Sequence, residues 1–235
     1  MSEAGAGSDI ANIRTRAERR DGRWVLNGEK IWISNARRAD FMIVIAVTDA
    51  EKRARGGMTA FLVDKGTAGV SIPSSFPMIG EMHPYAVVFD NVELDDSQVL
   101  GEVGQAFVPL QNRLGIRRME ISARCLGFAA RCIDLMLEQA RARSTFGAPL
   151  ADRQTIQWWI ADSFQELEMV RLATYRLAWL VDQGVTDVRR EASMPHVQAP
   201  EMVTRVLDRA IPMPASLVLH KDPPLHSRHA LGPSH

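Results

Sequence analysis

The chain has 235 residues, in which 28 lysines and arginines balance 28 aspartates and glutamates, and 46% of the residues are hydrophobic. This length provides enough core for one large domain or two small ones without disulfides, and formal neutrality argues against nucleic acid, which binds net basic surfaces. The longest apolar run, Phe41 to Val47, is far shorter than the roughly 20 residues that a membrane helix needs, so we expect no membrane insertion.

The first part of the chain is predicted to be β-structure, in a domain at residues 1–100. Between Arg23 and Ser34, the Asn27-Gly28 pair separates two alternating runs, and this pattern favours a tight hairpin turn because both residues tolerate positive φ. Short strands at regular spacing, with no long helix between them, predict a small antiparallel β-barrel or sandwich rather than a nucleotide-binding βαβ fold. Further strands are predicted at Phe41–Thr48, Met58–Asp64, Gly69–Ile72 and Tyr85–Val92.

The pattern then becomes helical. Apolar residues recur every three or four positions from about Gln105 to Arg143 and again from Asp152 to Gln183. A short turn-rich connector at 144–150 joins the two runs, so these helices must lie antiparallel, and a third helix is predicted from Asp187 towards Ile211. We therefore place an antiparallel α-helical bundle at residues 101–211, and the fold class is α+β.

The two cysteines lie on the first predicted helix. Cys125 and Cys132 are separated by a rise of about 10.5 Å, beyond the roughly 7 Å that a disulfide allows between Cα atoms. We predict that both are small core residues in a protein of a reducing, intracellular compartment.

The carboxyl-terminal end differs in composition. Its last 41 residues hold seven of the twelve prolines and five of the six histidines, and we treat 212–235 as a separate Pro/His-rich tail. Pro195 and Pro200 fall inside the third predicted helix, where each is expected to cost about 3 kcal/mol or more. We predict that residues past about 211 pack poorly and bind nothing. The histidines match no metal-ligand spacing, so no metal site is predicted.

Two β-domain segments could hold a planar ligand. Gly5 and Gly7, within the Ser2–Asp9 segment, allow close backbone approach, with hydroxyls and amides nearby for phosphates or ring carbonyls. Alternation places Trp32 and Ser34 on the strand face opposite the neighbouring isoleucines, which sets a flat indole beside a hydroxyl. An ordinary turn and a tryptophan packed under a loop are the simpler interpretations.

Arginines in the helical region could bind anions. In the 143–147 segment and the Arg153-Gln154 pair, a guanidinium could hold a diphosphate, although a solvated helix end explains the same residues. On the first helix, Arg113, Arg117 and Arg118 lie close together near Glu120. They could bind an anionic or carbonyl-bearing substrate, or form a charged solvent face.

The order and spacing of these segments resemble the acyl-CoA dehydrogenase family from residue 1 to about 211. The sequence Ser-Glu-Ala-Gly-Ala-Gly-Ser-Asp at 2–9 is similar to the family's Thr-Glu-Pro-x-Ala-Gly-Ser-Asp, and Trp32-Ile33-Ser34 to its flavin-contacting Trp-Ile-Thr/Ser strand. The residues Arg143-x-x-Phe146-Gly147, with Gln154, resemble its Arg-x-x-Phe-Gly…Gln element.

The resemblance implies a bound FAD. It implies that Trp32 and Ser34 line the isoalloxazine, and that Arg143, Thr145 and Gln154 reach the adenine-diphosphate end, often across a dimer interface. It implies substrate contacts by Ser8 and Arg118. The full set of implied cofactor-binding residues is Ser2, Ala6, Gly7, Ser8, Trp32, Ile33, Ser34, Arg143, Thr145, Phe146 and Gln154.

The implied activity is that of an oxidoreductase of fatty acid metabolism. It dehydrogenates an acyl-CoA thioester at the α and β carbons, with removal of the α-proton by a carboxylate and hydride transfer to FAD. Electrons then pass to an electron-transferring flavoprotein. The resemblance also implies a homodimer or homotetramer in the cytoplasm, or in the mitochondrial matrix of a eukaryote.

Several family features are missing from this sequence. The family carries a helical domain ahead of the Ser2 segment and a catalytic glutamate in a Tyr-Glu-Gly-Thr/Pro-like stretch near its carboxyl end, whereas Pro212-Met213-Pro214 stands where it has a Gln-x-x-Gly-Gly-like flavin-contacting turn. The alternative base position on the first bundle helix holds Arg117, and Glu120 is nearly a helical turn away, so we name no catalytic base. We therefore expect a fragment that is inactive alone.

Two other functional classes stay open. The chain could be a non-catalytic oligomerising or binding module that keeps the fold without flavin. It could also derive from an acyl-CoA oxidase or flavin monooxygenase of the same fold, because oxygen reactivity cannot be determined from these residues.

Overall fold

The computed structural model describes residues 1–78 and 83–213. The chain divides into two compact units, the first at Met1–Gln111 and the second beginning at Asn112. The first unit is built on a β-sheet and the second on long helices, so the predicted α+β class is confirmed. Of the helices described here, none is long and apolar enough to cross a membrane.

A seven-stranded sheet forms the first unit, in the order β5-β6-β2-β1-β3-β4-β7. All of its ladders are antiparallel except β1 and β3, which run parallel at Arg16 and Val47. The sheet is therefore mixed rather than purely antiparallel, and among the described residues β5 and β7 are unjoined edges, so no closed barrel forms. The strands are β1 Arg16–Arg20, β2 Arg23–Ile33, β3 Phe41–Val47, β4 Met58–Asp64, β5 Val70–Ser71, β6 Tyr85–Leu94 and β7 Val99–Leu100.

The predicted hairpin turn at Asn27-Gly28 is wrong. Strand β2 continues through both residues, and the turn that joins it to β1 is Asp21-Gly22, with φ of 50° and 81°. Asp-Gly is as strong a hairpin signal as Asn-Gly, so the sequence contains both candidates. Asn27 instead lies at an irregularity opposite β6, where its side-chain oxygen accepts a hydrogen bond from the Asn91 amide at 2.9 Å.

Both faces of the sheet are covered by apolar cores. One core is centred on Leu26, Phe61 and Val92, and Trp24 meets Phe61 edge to face with ring centroids 5.6 Å apart. The other joins Ile13 and Met58 to residues at the start of the first helix. Because strand residues alternate in direction, the same short strands supply both cores.

The three predicted helices are confirmed at α1 Phe107–Ala142, α2 Gln154–Asp182 and α3 Arg189–Ala210. The connector between α1 and α2 is a small hairpin of β8 Ser144–Thr145 and β9 Ala148–Pro149. Cys132 lies in the core of this unit and Cys125 packs against it, as predicted. Burial raises the pKa of the Cys132 thiol to about 11, so this cysteine is unreactive near neutral pH.

Ion pairs join α2 to α3. The Glu166 carboxylate accepts hydrogen bonds from Arg205 Nε and Arg209 Nη2, both at 2.8 Å. Arg209 also donates to the Ser163 hydroxyl at 3.2 Å. Ser163 and Glu166 of α2 meet Arg209 and Arg205 of α3 in reverse order, so these two helices run antiparallel.

The end of α3 differs from expectation. The helix continues through both Pro195 and Pro200. Beyond it, Met213 is only 2% exposed and belongs to the core, and its carbonyl accepts a hydrogen bond from Arg143 Nη1 at 2.9 Å. The prediction that residues past 211 pack poorly is therefore wrong at Met213, and the rest of the predicted tail, 214–235, lies outside the described residues.

The Glu166 ion pairs predict an acid-sensitive contribution to stability. Burial alone would raise the pKa of Glu166, but hydrogen bonds from Arg205 and Arg209 outweigh it and hold that pKa below its usual range. Since the folded pKa is the lower one, the stabilisation is complete above the unfolded value of about 4.3 and is lost as pH falls through the folded value. Glu166→Gln should lower the free energy of unfolding in urea by about 1 kcal/mol at pH 7. Below pH 5 the free energy of unfolding of this variant should fall less steeply than that of the wild type.

Glu138 provides the matched control, because its pair with Arg131 is longer, at 3.6 Å, and more exposed. Glu138→Gln should change the free energy of unfolding by no more than about 0.5 kcal/mol at either pH. Identical pH profiles for Glu166→Gln and the wild type would contradict this account.

Candidate functional site

The Ser2–Asp9 segment folds into a turn beside the end of β2. Glu3 and Ala6 exchange backbone hydrogen bonds of 3.0 and 3.1 Å, and the Ala6 side chain is buried in the sheet core. The Ile31 amide donates to the Ser2 carbonyl at 2.9 Å, which fixes the segment to β2. Gly7 and Ser8 follow the turn and are exposed. Exposed amides and hydroxyls therefore lie next to the strand that carries Trp32.

Trp32 occupies a rare backbone conformation. Its φ is +63°, in the left-handed region that non-glycine residues seldom adopt, and the β2–β6 pairing shifts register between Lys30 and Ile33. The indole is half exposed and contacts the Phe76 ring, with centroids 4.6 Å apart and planes tilted by 40°. Ile33 packs against the core, whereas Ser34, just after the strand, is exposed. The bulge thus presents an indole and a hydroxyl on the outside of the sheet.

A buried ion pair lies directly beneath this segment. Glu3 and Lys30 are joined by a 2.7 Å contact, and their side chains are only 8% and 3% exposed. Glu3 Oε1 also accepts from the Thr15 amide at 3.1 Å and hydroxyl at 2.7 Å, and Oε2 accepts from the Arg14 amide at 2.6 Å. Together with Lys30, these groups supply four donors to one carboxylate.

The electrostatics agree with this geometry. Burial alone would raise the pKa of Glu3, but hydrogen bonds from Lys30, Thr15 and the Arg14 amide outweigh it, so the pKa lies below its usual range. Burial lowers the pKa of Lys30, and the neighbouring carboxylate opposes that change. Glu3 is therefore a carboxylate at neutral pH, held in place by four donors.

Gly28 permits the close approach that this arrangement needs. A Cβ at position 28 would lie 2.6 Å from Thr15 Oγ1 and 2.7 Å from Thr15 Cα. The φ of Gly28 is +149°, which side chains rarely adopt. Glycine therefore lets Thr15 lie against β2, where its hydroxyl reaches Glu3.

A second group of predicted residues lies in the helical unit. Phe146 and Gly147 form the tip of the β8–β9 hairpin with φ of 52° and 79°, and Phe146 is completely exposed. Arg153 donates to the Thr145 carbonyl at 2.5 Å. Gln154, at the start of α2, is exposed. Since one Arg143 nitrogen is bonded to the Met213 carbonyl, any anion would meet the other donors of that guanidinium.

The α1 arginines divide into paired and half-buried members. Glu120 accepts from Arg117 at 2.7 Å and lies 3.5 Å from Arg113. The hydrogen bond from Arg117 lowers the pKa of Glu120, which makes it a poorer proton acceptor. Arg118 is half-buried on the same helix. Within the described ranges, no cluster of three or more His, Cys, Asp or Glu residues could hold a metal ion.

The structure thus fixes the segment that carries Ser2 and Ala6–Ser8 to β2 next to Trp32–Ser34, through the Ser2 carbonyl and Glu3. It places the other predicted residues in the helical unit. Sequence reasoning missed Glu3, Thr15, Lys30 and Phe76, and assigned Gly28 to a turn. The sequence did contain a signal: Glu3 lies within one predicted binding segment, and Lys30 lies two positions before Trp32 in the other.

Comparisons with known proteins identify both units. The profile of the acyl-CoA dehydrogenase middle domain matches residues 1–92, and that of the acyl-CoA dehydrogenase C-terminal domain matches 107–229. The second match continues beyond residue 211, where the sequence resemblance was expected to end. The two profiles together therefore cover most of the chain.

Individual relatives agree with the profiles. The chain is 51% identical over 222 residues to (R)-benzylsuccinyl-CoA dehydrogenase of Thauera aromatica, covering 94% of this chain and 55% of that protein. It is 34% identical to the mitochondrial short/branched chain specific acyl-CoA dehydrogenase of Rattus norvegicus, covering 96% and 52%. A structure of PigA with FAD and proline superposes with a TM-score of 0.91 at 29% identity, covering 97% and 60%. The chain spans about half the length of the curated relatives.

The close contact at Gly28 gives a test of the site's framework. Gly28→Ala should destabilise the chain by about 2 kcal/mol in urea unfolding, because the added methyl meets Thr15 backbone and requires an unfavourable φ. Gly127→Ala, in an exposed part of α1 with open space around the new Cβ, should instead stabilise by about 0.5–1 kcal/mol. Equal effects of the two substitutions would contradict the assigned role of Gly28.

Proposed function

This chain belongs to the acyl-CoA dehydrogenase family, and we propose that it binds FAD and takes part in the α,β-dehydrogenation of an acyl-CoA thioester. The observation that carries the proposal is the attachment of the Ser2–Ser8 segment to β2 beside an exposed Trp32. A left-handed φ strains a non-glycine residue and persists only where the surrounding structure enforces it, and Trp32 has such a φ at the register shift of β2.

The exposed groups at the end of β2 fit a flavin. The Trp32 indole offers a flat apolar surface, and the hydroxyls of Ser2 and Ser34 with the amides of Gly7 and Ser8 offer hydrogen bonds to ring heteroatoms or phosphates. When bound, FAD accepts the hydride from the β-carbon of the substrate. The chain's own contribution is to hold the ring system against Trp32 and to orient it through these polar groups.

The β8–β9 hairpin provides a second set of cofactor contacts in this proposal. Arg143, Thr145, Phe146 and Gln154 bind the adenine-diphosphate end of an FAD held by another copy in a homodimer or homotetramer. The complete exposure of Phe146 supports this, because an aromatic side chain at a hairpin tip gains most by packing on a partner or ligand. The exposed amide of Gln154 supplies hydrogen bonds nearby.

The relatives favour a particular substrate class. Identity to the benzylsuccinyl-CoA dehydrogenase is 51%, against 34% for the short/branched chain enzyme. We therefore propose an acyl thioester that carries an aromatic ring and a second carboxylate. Arg118 binds this substrate, because a half-buried guanidinium forms strong charge-assisted hydrogen bonds to a carboxylate.

We assign no α-proton acceptor among the described residues. Glu120 is engaged by two arginines, which makes it a poor candidate. We propose that the whole protein transfers electrons to an electron-transferring flavoprotein in the cytoplasm, or in the mitochondrial matrix of a eukaryote. The isolated chain then binds flavin without turning over substrate.

Flavin binding tests the proposal directly. The purified chain should bind FAD in equilibrium dialysis, and Trp32→Leu should weaken binding by about 2- to 10-fold, since aromatic stacking contributes about 0.5–1.5 kcal/mol. Trp158→Leu changes a similarly exposed tryptophan in the helical unit and should leave binding unchanged. A flavin-free protein with no thermal shift on adding FAD would instead support the flavin-free oligomerising module.

The substrate assignment has its own test. Arg118→Met should weaken binding of benzylsuccinyl-CoA to the FAD-loaded chain by about 10- to 100-fold, the effect of losing a charge-assisted hydrogen bond. It should change butyryl-CoA binding much less, because butyrate has no second carboxylate. Arg131→Met, elsewhere on α1, serves as the control. Equal losses for both thioesters would contradict carboxylate recognition by Arg118.

A further inference from the structure

The buried Glu3–Lys30 pair connects the two halves of the candidate flavin site in the sheet unit. Glu3 lies in the Ser2–Ser8 segment, and Lys30 lies on β2, two positions before Trp32. The donors that surround Glu3 come from two directions: the chain entering β1, at Arg14 and Thr15, and β2, at Lys30. A carboxylate bonded from both sides can occupy only one position.

Lys30 also marks the start of the bulge. The β2–β6 register is regular from the Gly28–Phe89 pair to the Lys30–Val87 pair, and it shifts before Ile33 meets Tyr85. The backbone between them carries the Ile31 amide, which bonds Ser2, and Trp32, which turns outwards. Fixing the Lys30 side chain therefore restrains the bulge and the Ser2 segment together.

Stability alone is a weak reason for such a pair. Removing two charges from water costs about as much as their attraction returns, and apolar residues of similar volume are often as good or better for stability. In some proteins a buried ion pair instead supplies a unique geometry, because charge and hydrogen-bond direction are satisfied in only one arrangement. The site requires such a geometry, since a planar ligand must meet Trp32 and the segment's amides at once.

We infer that Glu3, Thr15 and Lys30 are positioning residues for the flavin: they hold the Ser2–Ser8 segment in register with the Trp32 bulge. The inference rests on the proposed function. These residues act through the segment and the bulge, and their buried side chains are not themselves the cofactor contacts. Gly28 belongs to the same arrangement, because it lets Thr15 approach β2.

The test replaces both charges at once. Glu3→Gln with Lys30→Met leaves no uncompensated charge in the core, so the full-length chain with both substitutions should fold with a thermal midpoint near that of the wild type. Its FAD dissociation constant should rise at least about tenfold, and the visible circular dichroism of bound flavin should change. Exchange of the Ile31 amide with solvent should be about tenfold faster in the apo-protein, because its bond to Ser2 loosens.

The control is the exposed pair of Arg23 and Glu93, which also joins β2 to another element, at 3.1 Å. Arg23→Met with Glu93→Gln should leave flavin affinity, dichroism and Ile31 exchange unchanged. Should the buried double variant fail to fold, Thr15→Val carries the test, since it removes one donor at constant shape and should raise the FAD dissociation constant at least about threefold.

The outcomes separate the two proposals. A wild-type chain that binds FAD, with variants that bind within twofold of it, would overturn the positioning role and leave the proposed function standing. If the Arg23 and Glu93 control loses as much FAD affinity as the buried double variant, the positioning role is overturned as well. A wild-type chain that binds no FAD would overturn the proposed function and the positioning role that depends on it.

Discussion

The candidate site depends on one buried carboxylate. Glu3 accepts hydrogen bonds from Lys30, from Thr15 and from the Arg14 amide, and so fixes a segment rich in small residues against a strand. Without such an anchor, a Gly-containing turn would sample many conformations, because glycine has the largest backbone freedom to lose. The segment is thus held against β2 by side chains that are themselves buried.

Two of the five non-glycine residues with positive φ in the described chain are candidate binding residues, namely Trp32 and Phe146; the others are Asp21, Arg53 and Asn91. Trp32 and Phe146 both have positive φ and both expose large aromatic rings to solvent. Neither feature stabilises a fold, since a left-handed non-glycine residue costs about 1–3 kcal/mol. The exposure of both rings therefore supports the proposed contacts with a planar cofactor.

The helices could be predicted closely because amphipathic periodicity is a local signal, and α1, α2 and α3 match their predicted spans within a few residues. The strand order could not, since the pairing of β1 with β3 depends on residues far apart in the sequence. The turn at Asp21-Gly22 competed with an equally good signal at Asn27-Gly28. The Glu3–Lys30 pair escaped notice because its partners are 27 positions apart and nothing local marks either as buried. The family resemblance pointed to Trp32 and Ser34, which are both exposed near the end of β2. Their role in binding stays a prediction.

The most direct measurement of the central claim is a crystal structure of the chain grown with FAD. The account predicts the isoalloxazine ring against the Trp32 indole, with hydrogen bonds from the Ser2–Ser8 segment and Ser34, and with Glu3 still bonded to Lys30. A flavin bound elsewhere, or a Trp32 ring that stays packed on Phe76 with no ligand beside it at saturating FAD, would contradict it.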